Sequence, residues 1–114
     1  MAVTLLDQLT SLRTLLIPET AWTKGAAALD EDGVVALSID DEAVCFCLYG
    51  AARRIAILEP IPEEVDVVTF VIENLKVDGY ENFATFNDAE ETTHQDVLAF
   101  IDRLTTQQMR LGAA

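Results

Sequence analysis

Basic residues are scarce in this chain: seven Lys and Arg stand against twenty Asp and Glu, for a formal net charge of -13. Such a surface repels phosphate backbones at long range, so direct nucleic-acid binding is not expected and a partner with a basic surface is favoured. Histidine occurs once and cysteine twice. Structural zinc wants four converging ligands and catalytic zinc at least three, so no metal dependence is expected. Cys45 and Cys47 lie too close in sequence for a good mutual disulfide and are expected as reduced thiols in a cytoplasmic setting. The longest uncharged apolar stretch, around Ala43 to Ala52, is far below the roughly 20 residues that cross a bilayer. No basic leader precedes the first apolar segment, so neither membrane insertion nor export is expected. Gly-rich phosphate loops, Gly-x-Ser-x-Gly elbows and His-Glu-x-x-His pairs are missing. Most enzyme classes legible in a single sequence drop out with them, and no cofactor is expected.

What is abundant is apolar side chain. At 51% hydrophobic over 114 residues, the chain has enough to fill one core and too little for two, so a single domain over 1–114 is expected. The acids are clustered: residues 30–42 hold six and no base, and residues 59–91 hold ten against Lys76 alone. Asp30, Glu31, Asp32, Asp40, Asp41, Glu42, Glu63 and Glu64 are therefore the candidates for contact with a basic partner. The simpler alternative is that acidic loops keep a small apolar-rich protein in solution.

Leu5, Leu9, Leu12 and Leu16 fall on one helical face, with Thr4 and Asp7 as a capping pair and Pro18 as the stop. Ala21 to Leu29, the turn Asp30-Glu31-Asp32-Gly33 and Val34 to Leu37 predict a small hairpin, with Gly33 at positive φ. Ser38, Asp40 and Asp41 are candidate caps for a second helix through Val44, Cys47, Leu48, Ala51, Ile55 and Leu58, closed by Pro60 and Pro62. Pro62-Glu63-Glu64 suits the start of a third helix with Val65, Val68, Ile72 and Leu75 inward. The β-branched residues of 63–76 would also suit a strand. Asp78-Gly79 ends this element, residues 80–86 are expected extended or irregular, and Thr93 with Asp96 opens a last helix facing inward with Val97, Ile101 and Leu104. The expected class is α+β, mainly α-helical, with about four helices and a small β-hairpin.

Uncommon residues recur at separated sites: Trp22-Thr23-Lys24-Gly25-Ala26, Cys47-Leu48-Tyr49-Gly50-Ala51, Phe86-Asn87-Asp88 and Thr93-His94-Gln95-Asp96-Val97. In these segments, and in Asp30-x-Asp32-Gly33, the chain resembles a family of small bacterial and phage proteins known as a domain of unknown function. The likeness spans about residues 5 to 104 and departs at Phe86, where tryptophan is usual. It implies a shared fold and no mechanism.

Cys47, His94 and Asp88 are the ingredients of a thiol nucleophile, a base and an orienting carboxylate. On the helical spacing, however, Cys47 lies about two turns inside its helix, away from the terminus that would favour a thiolate, and reads as a small buried hydrophobe. Gly50, one turn on, lets a backbone or an aromatic ring approach, at a helix-propensity cost of about 1 kcal/mol. Trp22 is the expected occupant, its N–H bonded by a loop carbonyl, Asn87 or Asp88. His94 suits a buried hydrogen-bonding role, and Asn87 and Asp88 suit shaping the entry to the last helix. Trp22, Thr23, Cys47, Asn87, Asp88 and His94 are the candidates for a ligand site, and a pocket around Cys47, His94, Asn87 and Asp88 is the alternative of a small-ligand-binding protein or a Cys/His hydrolase. The favoured expectation is a non-catalytic binding protein, such as an accessory or inhibitory factor of the phage type, with a homo-oligomer through an apolar helix face as a further expectation.

Overall fold

The first four positions after the described start show why the leading helix begins where it does. Thr4 Oγ1 accepts from the Asp7 N–H at 3.1 Å while Asp7 Oδ2 accepts from the Thr4 N–H at 2.9 Å, satisfying two donors that a helix start leaves open. In the computed structural model, which describes residues 3–113 with side chains to 111, helix α1 then runs Leu5–Leu16. Leu9, Leu12 and Leu16 are fully buried, and so is Gln8. Gln8 Nε2 donates to the Glu59 carbonyl and its Oε1 accepts from the Val67 N–H, both at 2.9 Å. One amide on α1 thus fixes the end of one later helix and the start of the next.

After a single 3-10 turn, Glu19–Ala21, strand β1 (Ala28–Leu29) pairs antiparallel with strand β2 (Cys45–Phe46), Ala28 opposite Phe46 and Leu29 opposite Cys45. The turn expected at 30–33 is present: the Gly33 N–H donates to the Asp30 carbonyl at 3.0 Å, and Gly33 has φ +79°. The returning segment makes only a single bridge, Leu29 to Val35. The paired strand is instead Cys45–Phe46, which the apolar spacing assigns to the second helix. A stretch in which Ala43 and Phe46 are buried and Val44 is exposed fits a strand as well as a helical face, and periodicity over four residues cannot separate the two.

Helix α2 therefore starts later, at Leu48–Leu58, capped by Cys47, whose Sγ accepts from the Gly50 N–H at 3.3 Å. Ser38, Asp40 and Asp41 do not cap it. Ser38 and Asp40 give their carbonyls to Arg54 Nη1 at 2.8 and 3.0 Å. Residues 63–76 resolve as loop then helix: α3 is Val67–Val77, capped by Asp66, whose Oδ1 accepts from Thr69 at 3.1 Å. Pro62, Glu63 and Glu64 lie in the preceding loop, because Asp66 supplies the short side-chain acceptor that a helix start needs. The fully buried face is Val67, Val71 and Leu75, while Val65 is exposed.

Gly79, at φ +96°, ends α3 as its N–H donates to the Lys76 carbonyl and the Tyr80 N–H reaches back to Leu75. The stretch expected to be extended then forms a fifth helix, α4 (Phe83–Asn87), on a reciprocal Asn82 and Thr85 cap. Thr93 and Asp96 make the expected box for α5, His94–Ala113, and Val97, Ile101 and Leu104 are fully buried. α1 lies against α5 and α2, and α3 packs on α2. The architecture is mainly helical α+β around one contiguous core, as expected from composition and pattern. No helix among the described residues is long and apolar enough to cross a membrane.

Candidate functional site

Asn87 closes α4 and is 1% exposed, a position that leaves an amide no water to bond. Its Oδ1 accepts from Trp22 Nε1–H at 2.7 Å and from the Leu48 N–H at 3.0 Å. Its Nδ2 donates to the Thr23 carbonyl at 3.1 Å and to Asp88 Oδ1 at 2.9 Å. The two donors and two acceptors around it admit one amide orientation, and every hydrogen-bonding position of the side chain is filled. Asp88 Oδ1 also accepts from the Gly25 N–H at 3.0 Å. Lys24 Nζ donates to the Ala89 carbonyl at 2.6 Å and lies 5.7 Å from the Trp22 ring centroid. Segment 22–25 is thereby stapled to 87–89 across more than sixty residues of chain.

Thr23 takes part through its backbone, its N–H bonding the Phe46 carbonyl at 3.0 Å. His94, at the start of α5, is 8% exposed, and its Nε2 lies 2.6 Å from the Leu16 carbonyl at the end of α1. A carbonyl only accepts, so this nitrogen carries a proton. The ring stands 6.1 Å from the Trp22 ring. The expected roles of Trp22 as a bonded indole and His94 as a buried bonded imidazole match these positions.

Cys47 differs from expectation. It sits at the N-cap of α2 and not two turns inside, so the helix terminus does act on it: the N–H groups of Gly50 and Tyr49 lower its pKa. Burial outweighs them, and with a smaller push from the Asp88 charge the thiol is held above its ordinary range. No hydrogen bond among the described residues joins its sulfur to His94, whose Nε2 is engaged with Leu16. Gly50 is closely approached, as expected, but the occupant is not the indole. A Cβ there would lie 1.8 Å from the Ala27 carbonyl oxygen, so the small residue makes room for the backbone of the residue just before β1, which also accepts from the Cys47 N–H at 3.3 Å.

Cys47, Asn87 and Asp88 do share one shallow depression of about 420 Å³, with Tyr49, Phe83 and Gly25 among its walls, whereas Trp22, Thr23 and His94 stand outside it. A second depression, of about 350 Å³, gathers Asp30, Glu31, Asp32, Asp41 and Glu42 with Val44. Acids from both ends of the 30–42 segment therefore face one space. Glu63 and Glu64 do not line it. No three His, Cys, Asp or Glu side chains among the described residues are grouped to hold a metal ion. Pattern reasoning missed Gln8, although a polar residue on the Leu5, Leu12 and Leu16 stripe is itself a signal of a buried bonded group.

The model of a family of unknown function, DUF6197, matches residues 1–107, and the chain belongs to that family. No curated protein and no solved structure matches the chain.

Proposed function

We propose that this member of a family of unknown function is a non-catalytic interaction protein whose acidic surface meets a basic partner. The observation that carries the reading is the convergence of Asp30, Glu31, Asp32, Asp41 and Glu42 on one depression, while the polar atoms around Trp22 and Asn87 are already bonded to one another. Like charges held close are unfavourable until an opposite charge arrives, which favours association and steers it. An accessory or inhibitory factor of bacterial or phage type, acting in the cytoplasm, suits such a surface.

Poly-lysine is a direct probe. Its affinity for the full chain should fall steeply as salt rises from about 0.05 to 0.5 M, and fall again at low salt in the Glu31→Gln, Asp32→Asn, Glu42→Gln triple variant. Affinity that ignores both salt and substitution refutes electrostatic recognition.

A second reading, a small-ligand or hydrolase site, is favoured only by the depression that Cys47, Asn87 and Asp88 share. Alkylation by iodoacetamide in the native state tests it: a Cys47 inert across neutral pH ends the nucleophile idea, and rapid labelling would revive it.

A further inference from the structure

Between its two acidic triplets, segment 30–42 carries Gly33-Val34-Val35-Ala36-Leu37-Ser38-Ile39. Ala36 packs against the core, but Val34, Val35, Leu37 and Ile39 do not: Val35 is 74% and Leu37 72% exposed. Their backbone is nonetheless held. The Asp30 N–H donates to the Val34 carbonyl at 2.9 Å, the Ala36 N–H to the Ala28 carbonyl at 3.1 Å, and Arg54 clamps the Ser38 and Asp40 carbonyls. Val35, Leu37 and Ile39 face Tyr49, Arg53 and Ile57 of α2 across an open groove of about 390 Å³. An ordered segment thus presents apolar side chains to water beside a concentrated negative field, a combination that folding alone does not require.

We propose that this groove docks a partner segment bearing apolar anchors next to Lys or Arg, the anchors filling the Val35, Leu37, Ile39, Tyr49 and Ile57 surface and the cations meeting the flanking acids. The assignment rests on the proposed partner-facing role of the acidic surface and adds its apolar half. Charge selects the occupant. A second copy of this chain would bring a net charge of -13 to the same place, whereas a basic segment would meet the acids that precede and follow the apolar run in sequence while it buries that run, Arg53 being the charged side chain on the groove wall itself.

The test uses the full chain labelled with nitrogen-15 and two short synthetic peptides, one alternating Lys with Leu and one alternating Lys with Ser. The Lys–Leu peptide should shift the amide signals of Val35, Leu37, Ile39, Tyr49 and Ile57, bind about tenfold more tightly than Lys–Ser, and lose about tenfold in affinity to Leu37→Ser. Leu37 is exposed, so circular dichroism of the variant should match the parent. Equal binding of the two peptides, or indifference to Leu37→Ser, overturns the groove and leaves the acidic surface standing. Loss of salt dependence with both peptides overturns the acidic surface itself. Binding in the groove that ignores salt removes the basic half of the occupant, and a dimer in sedimentation that Leu37→Ser abolishes assigns the groove to a second copy.

Discussion

Two loops flank β1, and they treat their unusual residues in opposite ways. The one before it, 22–27, places an indole, a lysine and a glycine where other parts of the chain bond them: Trp22 and Thr23 to Asn87, Gly25 to Asp88, Lys24 to Ala89. The one after it, 30–42, turns its valines, leucine and most of its acids to water. Residues rare enough to draw attention in the sequence are thus consumed by the fold, and residues that look like ordinary solubilising loop are what remains available to a partner.

The sharpest way to break that contrast is Asn87→Leu. It leaves the Leu48 N–H, which is buried, and the Trp22 N–H and Thr23 carbonyl, which are half-buried, without their partner, and each lost bond costs about 1–3 kcal/mol. A destabilisation of about 4 kcal/mol is expected in urea unfolding. A loss under about 1 kcal/mol would mean that water reaches the site and that the network is not what holds the two segments together.

Gly50→Ala should cost about 3 kcal/mol, because the added methyl meets a backbone oxygen that cannot rotate away. Gly33→Ala gives the matching loop measurement. Nothing lies within 4 Å of a Cβ there, so only the positive φ opposes the change, at about 1 kcal/mol. Thermal midpoints of the two variants should therefore rank in that order, and a reversal would contradict the close approach of the Ala27 backbone to α2. The family-like Cys-x-x-Gly-Ala segment made the small residue visible in sequence, but not its occupant. Indole and backbone are equally plausible neighbours of a glycine until the strand pairing is known, and that pairing hid in a stretch, 43–47, too short for its period to be read.

Other boundaries fared according to whether a side chain marked them. The Thr4–Asp7 and Thr93–Asp96 boxes and the glycine stops at 33 and 79 were legible because the capping chemistry is local. The start of α3 was misplaced because a proline with two acids is also a helix signal, yet only Asp66 has an oxygen within reach of the Thr69 N–H. α4 was invisible: five residues are too few to show a stripe, and its Asn82 cap is paired with Thr85 rather than with an acid. Of the six candidate site residues, Trp22, Thr23, Asn87 and Asp88 form one hydrogen-bonded network, and nothing in a linear pattern could say that Cys47 would only border it through the shared depression while His94 bonds Leu16.

Cys47 is half-buried at the edge of the shallow depression, not the fully buried hydrophobe expected from its spacing, and it offers a pH test. Burial raises its folded-state pKa, so the folded chain holds the proton more tightly than the unfolded one, whose thiol titrates near about 8.5. The resulting stability is complete below that pH and is lost as pH climbs through it towards the folded value. Urea midpoints followed from about pH 7 to 10 should fall more steeply in the parent than in Cys47→Ser, which has no thiol to ionise. Parallel curves would place the sulfur in water and reopen the nucleophile reading.

The smallest effect belongs to the outer loop, and its smallness is what makes it informative. Glu31, Asp32 and Glu42 are exposed, and their carboxylates make no hydrogen bond among the described residues, unlike Asp30 and Asp40, which bond the backbone of their own turns. Replacing the three by Gln, Asn and Gln should move the unfolding free energy by no more than about 0.5 kcal/mol, with a gain as plausible in sign as a loss because mutual repulsion is relieved. The same variant should bind poly-lysine markedly more weakly at low salt. Stability and binding would then respond to separate sets of residues, the first to the Asn87 network and the second to the 30–42 loop. A large stability loss in the triple variant would show that the acids serve the fold, and the distinction between the two loops would disappear with it.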